Sequence, residues 1–477
     1  MRSILLAALA CTAALGCDTA ERRGATVLFA SGADLQSINP LLTVHPLARQ
    51  VQKYVLLTTL VRYDSALAVA PYLAQAWGWS ADRKSLTLRL AAGVRWHDGT
   101  PTTARDVQFT LDAAREPVVG YPRLTDLAQL SSVEAPDDST VVLRYSAPQT
   151  RFPDVLTDLA ILPAHRFAGV PLARMREAQW NEQPVGNGPF RFVRHERNRR
   201  WVFSANPDFP AALGGPPRLE RLVIAIVDEP MTKLAALVSG ELDFAGIQAG
   251  HAEYVRRDPQ LTVLDYPLLF TYGVVLNTRR PPFDRIEIRR ALSSALDRQE
   301  IVEGYTFGFA LPAFGPVPPG VPGALEPDPY ATTAASSQPV AANQPIRFEL
   351  LTVGSGDNAL EQMIQAQLRK VGLDVAIRQL ELSAFLDRVY GATHDFDAAV
   401  MGIPGDLALG YLTPLAELTG IQVPLDPTAA QRAFLDSLPV AFLYHARGVQ
   451  GMNRRVNGVR MDIRGELATV ARWAVAP

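Results

Sequence analysis

The chain has 477 residues, 48% hydrophobic and 20% charged, with a formal net charge of −2 and a mean hydropathy of +0.04. That length asks for two or three domains, and the composition excludes a disordered, low-complexity or polytopic membrane protein. The near-neutral balance gives no pull toward nucleic acid, and Cys11 and Cys17 are the only cysteines, which excludes a disulfide framework, a Cys-ligated zinc or a thiol nucleophile further on.

In chain order, Arg2 is followed by the apolar run Ile4–Gly16, too short to cross about 30 Å of hydrocarbon. Residues 1–16 therefore read as a secretory signal peptide. The run ends in Ala14-Leu15-Gly16-Cys17, which resembles a bacterial lipobox, so Cys17 is the expected lipidation site. Plain secretion with an incidental Cys17 stays open. No later stretch reaches eighteen apolar residues, which leaves everything past Cys17 extracytoplasmic, on the periplasmic side of the cell membrane, and held by lipid alone.

Short apolar segments near Gly, Pro, Asp or Asn predict strands over Thr26–Ala30, Leu86–Leu90, Val141–Tyr145, Phe190–Val193, Trp201–Ser204, Leu222–Val227, Tyr272–Asn277, Ile346–Leu351 and Leu373–Ile377. Apolar residues at three- and four-residue spacing predict helices over Ala48–Leu60, Pro230–Ser239, Arg289–Arg298 and Ala359–Val371, the last with Asp357 or Asn358 as N-cap. The mixture lacks the strict alternation of one parallel barrel and predicts a mixed α/β (α+β) fold of several lobes. Gly308–Gly323, crowded with proline and glycine, reads as an ordered irregular loop, and Tyr330–Gln344 as a flexible connection.

Enzyme signatures are missing. No GxSxG elbow, HExxH helix, P-loop or dinucleotide fingerprint occurs, and the seven histidines stand singly. No catalytic residue, metal site or cofactor is expected. Trp96-His97-Asp98-Gly99 reads as a packed indole beneath an Asp-Gly turn, with Pro101 ahead of a helix starting near Thr103.

That block, from Leu86 to Val107, closely resembles the signature of the family 5 extracytoplasmic solute-binding proteins, the peptide- and nickel-binding components of bacterial ABC importers. Further landmarks follow in the family's order: Ser37-Ile38-Asn39-Pro40-Leu41, Val61-Arg62-Tyr63-Asp64, Pro71-Tyr72-Leu73-Ala74, Gly186-Asn187-Gly188-Pro189-Phe190 and Gly240-Glu241-Leu242-Asp243. Val275-Leu276-Asn277-Thr278, Pro282-Phe283 and the run from Arg289-Arg290-Ala291-Leu292 to Ala295-Leu296-Asp297-Arg298 complete the set. The resemblance runs from about residue 25 to the end. It departs where Tyr330–Gln344 replaces a usual helix and where the interval from Asp406 to Pro439 is short.

The resemblance implies a periplasmic-binding-protein-like fold of two large lobes with a hinge and an additional inserted lobe. Lobe I would comprise 25–57, 186–268 and 445–477, lobe II 58–185, and lobe III 269–444. A peptide or related small solute would be captured in the interlobe cleft by hinge closure and delivered to ABC transporter permease and ATPase subunits. By the same resemblance Asp406 would hold the ligand amine, while a helix cap remains its open alternative. Met401, Ile403 and Tyr272 would line the cleft, and Thr43, Val44 and His45 would present backbone to the ligand. A monomer is expected. The alternatives are a transport-independent envelope chaperone or sensor, or a receptor for chelated nickel, haem or an oligosaccharide.

Overall fold

The computed structural model describes residues 24–43, 45–325, 345–354 and 358–476. The signal segment, Cys17, Val44, Tyr330–Gln344 and Asp357 lie outside the described residues. The chain divides into a first unit, Met1–Leu264 with Gln450–Pro477, and a second, Asp265–Val449.

In the first unit, Thr26–Ser31 pairs in parallel with Arg221–Ile226 on one side and with Phe244–Gly246 on the other. Arg200–Ala205 and Phe190–Glu196 extend the sheet antiparallel beyond Arg221–Ile226. Phe244 pairs at the opposite edge with Met452 from the end of Val440–Asn453. Phe29, Phe244 and Trp473 stack beneath this sheet, with the Phe244 and Trp473 centroids 4.6 Å apart. Asp243 has no exposed surface: the Arg455 guanidinium donates to both its oxygens at 2.6 and 2.7 Å, and the Leu28 N–H donates at 2.9 Å. The aspartate of the Gly240–Asp243 motif thus ties the first strand to the C-terminal segment.

The same unit holds a four-stranded antiparallel sheet in the order Ala74–Trp79, Ser85–Leu90, Thr140–Tyr145 and Leu130–Asp137. The helix Ala104–Arg115 lies against it and starts where expected. The buried Asp106 carboxylate accepts from the Thr103 N–H at 2.8 Å, the Ala164 N–H at 2.8 Å and Trp96 Nε1 at 3.2 Å. Burial dominates there and raises its pKa against those three donors.

The predicted helix Ala48–Leu60 is shorter and ends differently. It runs Pro46–Val51, widens into one π turn over Gln52–Leu56, and is extended at Leu57. Backbone competition is the cause, because Leu56 O accepts from the Gly188 N–H at 2.8 Å and the Thr58 N–H donates to Asn187 Oδ1 at 2.9 Å. A Cβ at Gly186 would come within 1.9 Å of Leu56 O, and one at Gly188 within 2.6 Å of Leu56 C. Only glycine fits either place. His97 locks the arrangement, with Nε2 donating to Gly188 O at 3.0 Å and Nδ1 accepting from the Gly186 N–H at 3.2 Å. Burial pushes its pKa down to about 4, so the ring is the neutral Nε2–H tautomer.

In the second unit the strands run Leu373–Leu380, Ile346–Val353, Ala398–Pro404, the greater part of Leu261–Leu276, then Val440 onward, with Ala310–Pro312 paired outside. Ile346–Val353 is parallel to both Leu373–Leu380 and Ala398–Pro404. Helices Ile286–Ala295, Arg298–Gly304 and Ala359–Arg369 cover a core of Val274, Leu276, Phe348, Leu350, Ile364 and Leu368. Asn358 is the N-cap of the last helix.

The predicted single helix Arg289–Arg298 is two helices. The Asp297 side chain accepts from the Glu300 N–H at 2.9 Å and starts the second, while the Asp297 N–H donates to Gln367 Oε1 at 2.9 Å. Arg298 is buried and donates to the carbonyls of Ser293, Leu296, Ala313 and Phe442. Arg289 does the same for Phe283, Asp284 and Ser437. The strand foreseen from Tyr272 begins at Leu261, its alternation having been obscured by Asp265 and Pro267. It starts in the first unit and ends in the second, and Val440–Asn453 carries the chain back.

Candidate functional site

The candidate residues of the second unit sit on one strand pair. Ala398–Pro404 runs antiparallel to the end of Leu261–Leu276, with Thr271 opposite Ile403, Tyr272 opposite Gly402 and Gly273 opposite Met401. Directly opposed residues share a face, and neighbours along a strand alternate. Tyr272 therefore shares its face with Val274 and the helix-covered core, and Met401 and Ile403 point to the other. Ile403 is only 5% exposed, whereas Met401 and Tyr272 are half-buried.

Tyr272 stacks on Tyr444 with centroids 4.9 Å apart and planes at 23°, and Phe270 meets it edge-on at 5.5 Å. A Cβ at Gly402 would fall 2.1 Å from the Phe270 ring, so that glycine lets the aromatic lie flat on the neighbouring strand. Burial raises the Tyr272 pKa first, and the Glu361 carboxylate adds to it. On the opposite face Thr271 Oγ1 lies 2.9 Å from His445 Nδ1, and burial lowers that imidazole to about 4.

Asp406 follows the strand end. Its carboxylate accepts from the Gly410 N–H at 3.0 Å and the Tyr411 N–H at 3.1 Å, which shapes the turn before the helix Leu412–Thr419. Tyr411 in turn donates its hydroxyl to Pro316 O at 2.8 Å. A carboxylate offers about four acceptor positions, so capping this turn and taking a ligand amine are compatible tasks.

In the first unit Thr43 Oγ1 accepts from the His45 N–H at 3.1 Å, and His45 Nδ1 accepts from the Ala48 N–H at 3.3 Å as the N-cap of Pro46–Val51. Burial lowers the His45 pKa, against the pull of Asp34, and a capping acceptor needs the neutral ring. Asp34 itself accepts from Trp201 Nε1 at 2.8 Å, the Asn198 N–H at 2.9 Å and His195 Nε2 at 3.0 Å. Burial there would raise its pKa, but the three donors outweigh it and hold the carboxyl below its ordinary value. His195 lies flat on Trp201, 3.7 Å between centroids.

Three residues escaped the sequence reading: Glu361, Tyr444 and Tyr305. Glu361 carried a signal, since it falls inside the apolar stripe Leu360, Ile364 and Leu368. Tyr444 gave no local signal, because the ring it stacks on, Tyr272, is far away in the sequence. Among the described residues no helix is long and apolar enough to cross a membrane, and no group of three or more His, Cys, Asp or Glu residues is disposed to hold a metal ion.

Residues 68–416 match the model of the bacterial extracellular solute-binding proteins, family 5. A di/tripeptide-binding protein of Pseudomonas aeruginosa is 30% identical over 360 residues, covering 69% of this chain and 66% of that protein. Relatives in Brucella are 32% identical over 256 residues, and this match spans about half their length, 48%, and 53% of the chain. Among solved structures, the oligopeptide-binding protein AppA of Bacillus subtilis in complex with a nonapeptide superposes with a TM-score of 0.75 at 21% identity, over 95% of this chain and 99% of that one. The mixed α/β, periplasmic-binding-protein-like fold and the ordered motifs therefore agree with the model match, and the chain belongs to the family 5 bacterial extracellular solute-binding proteins, a family of binding proteins and not of enzymes.

Proposed function

We propose that this protein captures short peptides outside the cytoplasm and hands them to the permease and ATPase of an ABC importer. The observation that carries the reading is the 30% identity to a di/tripeptide-binding protein over about two thirds of both chains. The two long strands that each contain a unit boundary support hinge closure as the capture step, because a strand pair can bend without breaking its ladder. A ligand that touches both sides of such a hinge shifts it by its differential affinity, and one that touches a single side shifts nothing. In this reading the three-lobe division stands as 25–57, 186–268 and 445–477; 58–185; and 269–444. Asp406 takes the peptide amine, Tyr272 lines the cleft from its own face of the sheet, and Thr43, Val44 and His45 offer backbone from the first unit. Cleavage before Cys17 and acylation of its thiol would moor a monomer to the membrane.

The test is thermal denaturation of the purified mature protein with a library of di- to pentapeptides. A bound peptide adds about 2.7 kcal/mol at a hundredfold excess over Kd, so the melting temperature rises with concentration. A flat response across the library contradicts peptide capture.

A further inference from the structure

One carboxylate of the second unit has surroundings that do not match its charge. Glu361 is in the first turn of Ala359–Arg369, where an anion is favoured, yet it is only 7% exposed and sits among core residues. The Thr352 hydroxyl donates to its Oε1 at 2.6 Å. Among the described residues no lysine, arginine or histidine pairs with it. A buried carboxylate without a cation is costly, so the arrangement is incomplete as it stands.

The neighbouring groups share the same need. Strand alternation puts Thr352 on the face of Phe348 and Leu350, and Tyr272 on the face of Val274, so both look into the same core region as Glu361. Tyr272 and Tyr444 stack there, and Tyr305 lies 6.4 Å from Tyr444. Tyr444 is 4% exposed, yet among the described residues neither its hydroxyl nor that of Tyr272 has a hydrogen-bond partner. Among the described residues the sealed side-chain atoms that lack a partner are Gln52 Nε2, Thr58 Oγ1 and Gln450 Oε1, all in the first unit. Neither phenol oxygen is among them, so each keeps some accessible surface. The charge of Glu361 acts on both tyrosines, behind burial as the larger influence.

We propose that Glu361, with Thr352 and the Tyr272–Tyr444 stack, forms a pocket for an alkylammonium or guanidinium group, and that the protein selects cationic peptides through it. A carboxylate and two phenol oxygens supply acceptors, the ring faces supply cation–π attraction, and the missing partner is a cationic donor. The pocket lies wholly within the second unit. Its ligand class rests on the peptide-capture reading above; its chemistry does not.

Calorimetry of the mature protein with Ala-Lys-Ala, Ala-norleucine-Ala and N-acetyl-Ala-Lys-Ala tests this. The pocket predicts at least a tenfold loss of affinity when norleucine replaces lysine, whereas acetylation of the terminus, which reports on Asp406, leaves the lysine-to-norleucine preference in place. In Glu361→Gln that ratio collapses toward one. Tyr444→Phe, which keeps the packing, should shrink the same ratio in part and serves if E361Q does not fold. Ratios in E361Q or Y444F equal to the parent's, or no ratio in the parent, overturn the pocket. If none of the peptides binds, the peptide reading fails separately. The pocket then stands on a saturable melting-temperature rise with pentylammonium that pentanol does not give and E361Q lacks, and it falls if that rise is absent.

Discussion

Arg298 and Arg289 show what the most recognisable residues of the chain do. Each guanidinium is buried and spends its N–H groups on main-chain carbonyls from segments that are remote in sequence. Such a group ties together main-chain segments that are far apart in the sequence. Arg298→Ala should cost on the order of 3 kcal/mol or more, because it strands several buried carbonyls; a loss of unfolding free energy in urea of less than a third of that would contradict the role. His97 adds a pH dependence of defined sign. Its pKa is about 4 in the folded chain against an ordinary 6.5, so the unfolded chain binds more protons between those values. Stability from this residue is complete above about pH 6.5 and falls as the pH drops toward 4, by up to roughly 3 kcal/mol. His445 acts in the same direction. In urea melts at pH 7 and pH 4.5, His97→Asn should lose less stability between the two than the parent. An equal loss would place the effect elsewhere.

At the scale of elements, the glycines of Gly186-Asn187-Gly188 and the π turn at Gln52–Leu56 are one device, in which a helix stops so that its last carbonyls can meet another segment's backbone. Gly186→Ala places a methyl against Leu56 O and should abolish soluble expression or lower the melting temperature steeply, while Gly93→Ala, with open space but φ of +76°, should cost only about 1 kcal/mol. Similar melting temperatures for the two variants would refute the packing account. The strands around Thr26, Leu86, Thr140, Arg200 and Arg221 were legible because apolar runs bounded by turn residues mark them directly. Helix ends were not: the carbonyl of Leu56 and the N–H of Asp297 answer to residues far away in sequence, which no local spacing reveals. The candidate site was legible to the same degree. Asp406 and Tyr272 could be named, but which face Tyr272 takes, and that Tyr444 and Glu361 join it, depends on sheet register and on a helix docked from elsewhere.

For the whole molecule, the family motifs turn out to be framework. Trp96, His97, Asn187, Asp243, Arg289 and Arg298 all close internal contacts, so these motif residues serve the scaffold, and in the proposed function ligand choice falls to residues outside them, Tyr272, Asp406 and Glu361 among them. The proposed function then depends on motion about the strands Leu261–Leu276 and Val440–Asn453. Small-angle X-ray scattering of the mature protein, with and without a peptide that calorimetry shows to bind, tests this most directly. The account predicts a smaller radius of gyration at saturating peptide, reversed when the peptide is dialysed away. A peptide that binds with measurable heat and leaves the scattering curve unchanged would contradict it.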